Sequence, residues 1–324
     1  WMRTVDAREA TPGYLTEQGI RESLLDMATR FNQFTNTLEL PEPSVEGRPI
    51  VAIRLGAAPP AGTTKRAVLL TGGVHGRELV PPDLLIYFSR RLCFAYRHGQ
   101  PLTIGGKTYT HAQLDRLLRA LDLFVLPLVN PDGRVYVQTD PDPDARWWRK
   151  NRRPNPVPAC MGVDNNRNTS FLWGSKIGSS DSPCSEVYRG PSAFSEPETR
   201  NVKYLLDRFQ KIRWHADVHS AGRVLLFPWG DDQLQSADQN KNFRNPAWDG
   251  QRGRPGDVYR EYIPSNHRDL YATVLQQMQA AIALPRGSHY GVGPIFDTVY
   301  PVTGDNTDYA YSRHFSQPRW PQVF

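Results

Sequence analysis

Leu69-Leu70-Thr71-Gly72-Gly73-Val74-His75-Gly76-Arg77-Glu78 is the stretch on which the reading of this chain turns. An apolar run ends in two glycines; a histidine follows and, three residues on, a glutamate. Pro81 and Pro82 come next, and then the apolar run 84–88. The leucine-rich run reads as a buried strand. The glycines let the backbone turn sharply, and proline suits the first turn of a helix, where its missing N–H costs nothing. Strand, tight loop, helix is therefore expected. That order puts His75 and Glu78 beyond a strand's carboxyl end, where open α/β sheets hold their ligands. Imidazole nitrogen and carboxylate oxygen are both zinc donors, and three protein ligands plus a water make a catalytic site. Alone, the pair fits a loop salt bridge or a helix cap better than a metal, so the rest of the chain must supply the decision.

Working outward, residues 16–34 carry apolar side chains at helical spacing, with Thr16 as a cap. Strands are expected at 49–55 and 66–74, a helix at 82–96, a tight turn at 104–107, a helix at 111–121 and a buried strand at 123–129. Asn130-Pro131-Asp132-Gly133 is a turn signal. Residues 140–185 are irregular, too long for a mere connector, and three tryptophans and two cysteines argue for order there. A helix over 196–209 has Ser195 and Glu198 in a capping-box pattern. Strands 212–218 and 223–229 follow, then a polar, glycine-rich stretch at 231–256. A helix at 264–283 comes next, a loop or short strand at 291–300, a helical turn or two at 307–313, and a strand just beginning at 320–324. Strands alternating with helices indicate one α/β domain with a mostly parallel or mixed sheet. The expected division is an N-terminal extension, 1–13, and a domain, 14–324.

Composition leaves the partner class open. The 324 residues are 39% hydrophobic and 22% charged, an ordinary globular balance. The net charge of +6 favours anionic partners without proving one. No apolar run approaches membrane-spanning length, and residues 1–10 hold no apolar signal-peptide core. Cys93 lies in an apolar stretch and reads as an inert core thiol. Cys160 and Cys184 flank a loop-rich segment. A bridge between them would be worth about 2–4 kcal/mol and would imply an oxidising compartment; two unrelated thiols stay equally open.

His219 ends a strand as His75 does and is the natural third zinc ligand. His215 alternates onto the same strand face and competes with it. His98, His111, His267, His289 and His314 read as surface or structural histidines. The stretch Arg146-Trp147-Trp148-Arg149-Lys150-Asn151-Arg152-Arg153 has three readings: nucleic-acid binding, a solvated basic loop, or a clamp for a carboxylate or oxyanion. The Asn-Arg pair within Gly162-Val163-Asp164-Asn165-Asn166-Arg167-Asn168 favours the clamp, because it joins charge to hydrogen bonds.

Together these residues resemble the zinc metallocarboxypeptidases of the carboxypeptidase A and B type. The matches run in the family's order. They are the 73–78 loop, Asn130-Pro131-Asp132-Gly133, Trp148-Arg149-Lys150-Asn151-Arg152, the 162–168 stretch, Pro183-Cys184-Ser185-Glu186, Ala193-Phe194-Ser195-Glu196-Pro197-Glu198, His219-Ser220, and the segment 300–309 from Tyr300 to Tyr309. They span residues 14 to 324. The resemblance implies a three-layer α/β/α fold around a mixed eight-stranded sheet. It implies zinc held by His75, Glu78 and His219, and hydrolysis of the C-terminal bond of peptides and proteins by a zinc-activated water. It gives Arg152 the oxyanion, helped by Arg149. Asn166 and Arg167 would bind the terminal carboxylate, Tyr300 would close over it, and Arg77 would be a peripheral subsite contact. Cys160 and Cys184 match the family's disulfide, and with it comes a secreted protein. The implied enzyme is expected to be a monomer with no nucleic-acid partner, since carboxylate and oxyanion binding explain the basic loop.

Three departures stand out. The family's general-base glutamate should fall near position 322 or shortly after, where this chain has Gln322; the last glutamate is Glu261. The expectation is a chain that stops inside the last strands, with the glutamate just beyond Phe324 and little activity in residues 1–324. A peptide-binding module that has lost its base is the alternative, and an amidohydrolase acting on small or cell-wall peptides is another. Ala221 replaces a tyrosine common after His-Ser, which bears on an outer subsite. The floor of the side-chain pocket maps to Asp305 and Thr307, where Asp305 could receive a basic side chain and Thr307 is neither acidic nor aliphatic. A broad pocket for apolar and basic ends is the expectation.

Overall fold

The computed structural model describes residues 13–324 except 158, 234, 255 and 284–286. Nearly all of the expected N-terminal extension, residues 1–12, lies outside the described residues. The chain opens with α1 (Glu17–Arg30), β1 (Thr35–Glu39), β2 (Val51–Leu55), β3 (Arg66–Gly72) and α2 (Val80–Arg97). A hairpin of β4 (Leu102–Ile104) and β5 (Lys107–Tyr109) precedes α3 (His111–Ala120), β6 (Leu121–Leu126) and α4 (Pro131–Thr139). After the long irregular segment come α5 (Pro197–Arg208), β7 (Ile212–Val218) and β8 (Val224–Phe227). The last elements are α6 (Ser265–Ala283), β9 (Gly291–Pro294), α7 (Ile295–Thr298) and α8 (Asn306–Ser316).

Five strands form the main sheet in the order β1-β2-β6-β3-β7. β3 runs parallel to both β6 and β7, while β1, β2 and β6 pair antiparallel, so the sheet is mixed. Strand alternation sends successive side chains to opposite faces, and here it builds two cores. Leu123 and Val125 of β6, with Ile53 and Leu55 of β2, pack under α1, α2 and α3. Phe124 and Leu126, with Ala67 and Leu69 of β3, pack under α5, α6 and α8. The result is three layers, helices on both faces of the sheet.

The eight-stranded sheet is corrected to five among the described residues, with β8 and β9 forming a separate parallel pair. The edge of β7 carries a single further residue. Phe324 N–H donates to Arg213 O (2.9 Å), and its carbonyl accepts from His215 N–H (2.6 Å). This is parallel pairing opposite Trp214, one residue's worth of the strand expected at 320–324.

Two local expectations also change. Asn130-Pro131-Asp132-Gly133 starts a helix: Asn130 is the N-cap of α4, accepting from Gly133 N–H at 2.8 Å, with proline in the first turn. Turn and helix-start signals share these residue types, which is why the sequence alone read a turn. α5 has Glu196 at its N-cap position with no side-chain cap, because Ser195 Oγ instead donates to Glu196 Oε1 (2.7 Å).

The Cys160–Cys184 disulfide is formed, and Cys93 is a free, buried thiol. No described helix is long and apolar enough to cross a membrane.

Glu198, in the first turn of α5, is fully buried beside Asn151 and Glu196. Burial, with the neighbouring charge of Glu196, pushes its carboxyl up to about 8. A folded pKa raised above the unfolded value gives stability that is complete at low pH and lost as pH rises through about 8. The melting temperature of the native chain should therefore fall as pH rises from the ordinary carboxyl range to about 8 and level off above it, while Glu198→Gln, neutral throughout, should flatten that fall. Parallel melting curves for the two proteins would contradict this.

Candidate metal centre and cavity

β3 and β7 are adjacent and parallel, so the loops leaving them open at the same edge of the sheet. That topology brings His75 and Glu78, after β3, to His219, after β7. The His75 and His219 ring centroids are 4.9 Å apart. One ligand atom from each of His75, Glu78 and His219 lies within 4.8 Å of the others, and this is the only such His/Cys/Asp/Glu group among the described residues. His215, the competing ligand, is not in this group; its Nε2 lies 2.9 Å from Thr71 Oγ1.

The loop around His75 is held tightly. Gly76 N–H donates to Arg149 O (3.0 Å) and Arg77 N–H to Trp148 O (2.8 Å), so the 148–149 segment runs alongside it. A Cβ on Gly76 would stand 2.8 Å from the backbone of Gly133, the first turn of α4. Only glycine permits that approach. Asn130 Nδ2 ties the same region together, donating to Val74 O (3.2 Å) and Lys150 O (3.1 Å).

The donor geometry fits a cation. His75 Nδ1 lies 2.7 Å from Glu78 Oε1, and His219 Nδ1 lies 3.0 Å from Glu78 Oε2. The opposite ring nitrogens face other carboxylates: His75 Nε2 is 3.3 Å from Asp164 Oδ1, and His219 Nε2 is 3.2 Å from Asp217 Oδ2. An ionised carboxylate only accepts, so it draws the ring proton to Nε2 and leaves the Nδ1 lone pair facing Glu78. Two lone pairs and a carboxylate at such spacing repel unless a positive charge lies among them. Histidine–carboxylate pairs behind a metal fix the ring tautomer and orientation in this way. Without a metal, the same carboxylates favour positive charge on the rings themselves. Burial opposes ionisation of Glu78, yet His75 and His219 hold its carboxyl well below the usual range. Burial also opposes charge on His219, and Asp217 and Glu78 overcome it, pushing its pKa well above the ordinary value.

The guanidinium at the group's edge belongs to Arg149. It is buried, its Nε donates to Asp164 Oδ2 (2.9 Å), and its Nη1 is 3.4 Å from His75 Nδ1. Arg152 is elsewhere: its guanidinium lies 3.7 Å over the Tyr136 ring and 4.7 Å from that of Trp148, with Glu46 at 3.8 Å. The two arginines are three residues apart on an irregular segment, where no periodicity reveals which one turns inward.

A cavity of about 800 Å³ opens beside Arg149, lined further by Arg77, Arg167, Tyr300, Ile177 and Arg254. Arg167 is buried, with Nε donating to Gly178 O (2.7 Å), and its guanidinium carbon is 5.7 Å from the Tyr300 ring. Tyr300 itself is half exposed. Asn166, next to Arg167, accepts at Oδ1 from Asn306 N–H (3.1 Å). Arg77 reaches Trp147 O (3.1 Å) and Glu186 (3.3 Å) at the rim. Asp305 does not face the cavity as a receptor for a cation. It is 3% exposed and caps α8, its Oδ1 accepting from Thr307 N–H (3.0 Å) and Asp308 N–H (2.9 Å). Thr307 follows it in the first turn of that helix. Gln322 stands level with the start of β7, far along the strand from His219, and its amide donates to Tyr311 O (3.3 Å).

Sequence reading named neither Asp164 nor Asp217 as a site residue. Asp217 had a signal, since strand alternation sets it on the face of His219, two residues away. Asp164 lies within a motif already noted for its arginine, and nothing in the spacing points it at His75.

A family model described as zinc carboxypeptidase matches residues 20–319. Carboxypeptidase B of Astacus astacus is 30% identical over 269 residues, covering 82% of this chain and 72% of that protein. Carboxypeptidase A4 of Mus musculus is 28% identical over 294 residues, covering 91% of this chain. The chain spans 58% of the length of that mouse relative. Among solved structures, carboxypeptidase A from Helicoverpa armigera superposes with a TM-score of 0.70 at 26% identity, covering 91% of this chain and 61% of that one. With the match extending over most of its length and a His–Glu–His group gathered at the sheet edge, the chain belongs to the zinc carboxypeptidase family.

Proposed function

We propose that this chain carries the zinc-dependent exopeptidase site of a protein that removes the C-terminal residue of peptides and proteins. The observation that carries the reading is the convergence of His75 Nδ1, His219 Nδ1 and the Glu78 carboxylate beside a cavity lined by Arg149 and Arg167. Zinc held there supplies Lewis-acid polarisation and an activated water. The protein groups do the rest. Arg167 and the free amide of Asn166 hold the terminal carboxylate, so the chain end itself sets the cleavage point. Arg149, kept rigid by Asp164, faces the scissile carbonyl and stabilises the negative oxygen that develops there; Arg152, stacked between two aromatic rings, is released from that role. Tyr300 covers the bound residue, and Arg77 meets the substrate further out.

The general base is a glutamate outside residues 1–324 in this reading. Pairing in the register of Phe324 opposite Trp214, if continued, would reach the level of Val218 and His219 about four to five positions further on, at ~3.3 Å per residue. Residues 1–324 then turn over slowly, by about 10²- to 10⁴-fold, relative to a longer chain that includes this glutamate. Equal rates from both lengths would remove the assignment. Secretion is supported by the Cys160–Cys184 disulfide, which persists in oxidising compartments.

Side-chain preference shifts away from basic ends. Arg77, Arg149, Arg167, Lys176, Arg252 and Arg254 line the cavity against the one carboxylate of Glu186 among the described lining residues, and Asp305 is committed to its helix cap. The deciding experiment compares peptides with free and amidated C-termini, ending in apolar, acidic and basic residues. Amidation should cut kcat/KM by about 10²-fold or more, as expected when a buried charge loses its partner, and lysine or arginine ends should be the poorest. Equal cleavage of amidated peptides would overturn the exopeptidase reading.

A further inference from the structure

Asp217 touches three groups from three different elements. Its side chain is nearly inaccessible. Thr71 Oγ1 of β3 donates to Oδ1 (2.7 Å), Asn306 Nδ2 of α8 donates to Oδ2 (3.0 Å), and His219 Nε2 lies 3.2 Å from Oδ2. Because an ionised carboxylate only accepts, it compels the Asn306 amide to present its NH2 group. The backbone N–H of the same Asn306 donates to Asn166 Oδ1 (3.1 Å). That bond orients Asn166 in turn: with its oxygen engaged, its Nδ2 remains to donate, and it makes no hydrogen bond among the described residues. The first turn of α8 cannot drift from the Asn166 segment, since Thr169 N–H donates to Gly304 O (2.9 Å) and Thr169 Oγ1 to Asp305 O (2.9 Å). One run of hydrogen bonds therefore joins the metal-facing ring of His219 to the amide beside Arg167.

We propose that Asp217 is a positioning residue that orients His219 toward the metal and, through Asn306, sets the metal centre against the carboxylate-binding amide of Asn166. This rests on the exopeptidase reading, in which a substrate's last residue must span both points. Holding them to one frame fixes the distance between the cleaved bond and the anchored chain end. Losing the frame by even an ångström would cost reactivity.

The test measures binding, so it does not depend on turnover. Zinc affinity is read by competition with a coloured chelator. Peptide affinity is read by calorimetry on zinc-loaded protein with acetyl-alanyl-phenylalanine and with its C-terminal amide. Asp217→Asn should weaken zinc binding about 10–100-fold, the usual cost of an outer partner of a metal-bound histidine. Asn306→Ala should weaken both zinc and the free-carboxylate peptide by several-fold, and leave the amide's affinity where it was. Thr71→Val, which removes a different hold on Asp217, should give a smaller loss of zinc affinity and covers the case in which Asp217→Asn does not fold. If the native chain binds zinc and all three variants bind it equally well, the positioning role is wrong while the exopeptidase reading stands. If the native chain binds no zinc, the reading itself fails. An Asn306→Ala effect confined to zinc, with peptide affinity intact, would break the proposed link to Asn166.

Discussion

Glu78→Ala abolishes stoichiometric zinc binding and, with it, any hydrolysis, while the metal-free protein still folds. Glu78 is the only anion in the donor group and stands between the two Nδ1 atoms, at 2.7 Å and 3.0 Å. Its removal leaves two neutral imidazoles where a catalytic zinc site uses three protein ligands. The loss of affinity should therefore exceed the 10–100-fold that an outer partner is worth. The fold should survive because Glu78 itself belongs to neither core, and because Ser220 N–H and the two rings are the only hydrogen-bond partners of this carboxylate among the described residues. Zinc per chain after dialysis against a weak chelator is the measurement. A variant that retains one zinc per chain would mean that the metal sits elsewhere.

Arg149→Gln should lower kcat by about 10²- to 10³-fold, the cost of removing one oxyanion donor, with a smaller change in KM. Arg167→Gln should do the reverse, raising KM for free-carboxylate peptides and reducing the advantage those peptides hold over amides. The contrast follows from position. Arg149 contacts His75 and Asp164 at the metal group, whereas Arg167 lies under Tyr300 in the cavity. Arg149 is also a structural partner: Asp164 is fully buried, and breaking a buried pair costs about 3–5 kcal/mol. A double change, Arg149→Gln with Asp164→Asn, separates the two effects. It should recover stability without recovering kcat. Arg152→Gln serves as the control, because its guanidinium stacks on Tyr136 and Trp148, and it should leave kcat within a few-fold. If Arg152→Gln were the slow variant and Arg149→Gln the fast one, the oxyanion assignment would have to be exchanged.

The resemblance of motifs carried the fold class and the His75, Glu78 and His219 group, and local chemistry carried most helices. Thr16 caps α1 at Gly19 N–H, and Thr110 caps α3 with Gln113 in a reciprocal box. Such signals are local: period, cap and turn residues act within a few positions of one another. The start of α4 was misread for the same reason, since Asn-Pro-Asp-Gly serves a turn and a helix N-terminus alike. β1 went unseen because Thr35–Glu39 alternates poorly and takes its order from β2 alongside it.

Strand alternation, the glycine-rich loop and a histidine at each of two strand ends were written in the order of residues, because they depend on neighbours along the chain. That Arg149 rather than Arg152 lies beside His75, that Asp305 caps a helix, and that Asp164 and Asp217 stand behind the two histidines was decided only by packing. Each depends on segments dozens of residues apart meeting at one sheet edge. Irregular backbone has no period from which such a meeting can be foretold.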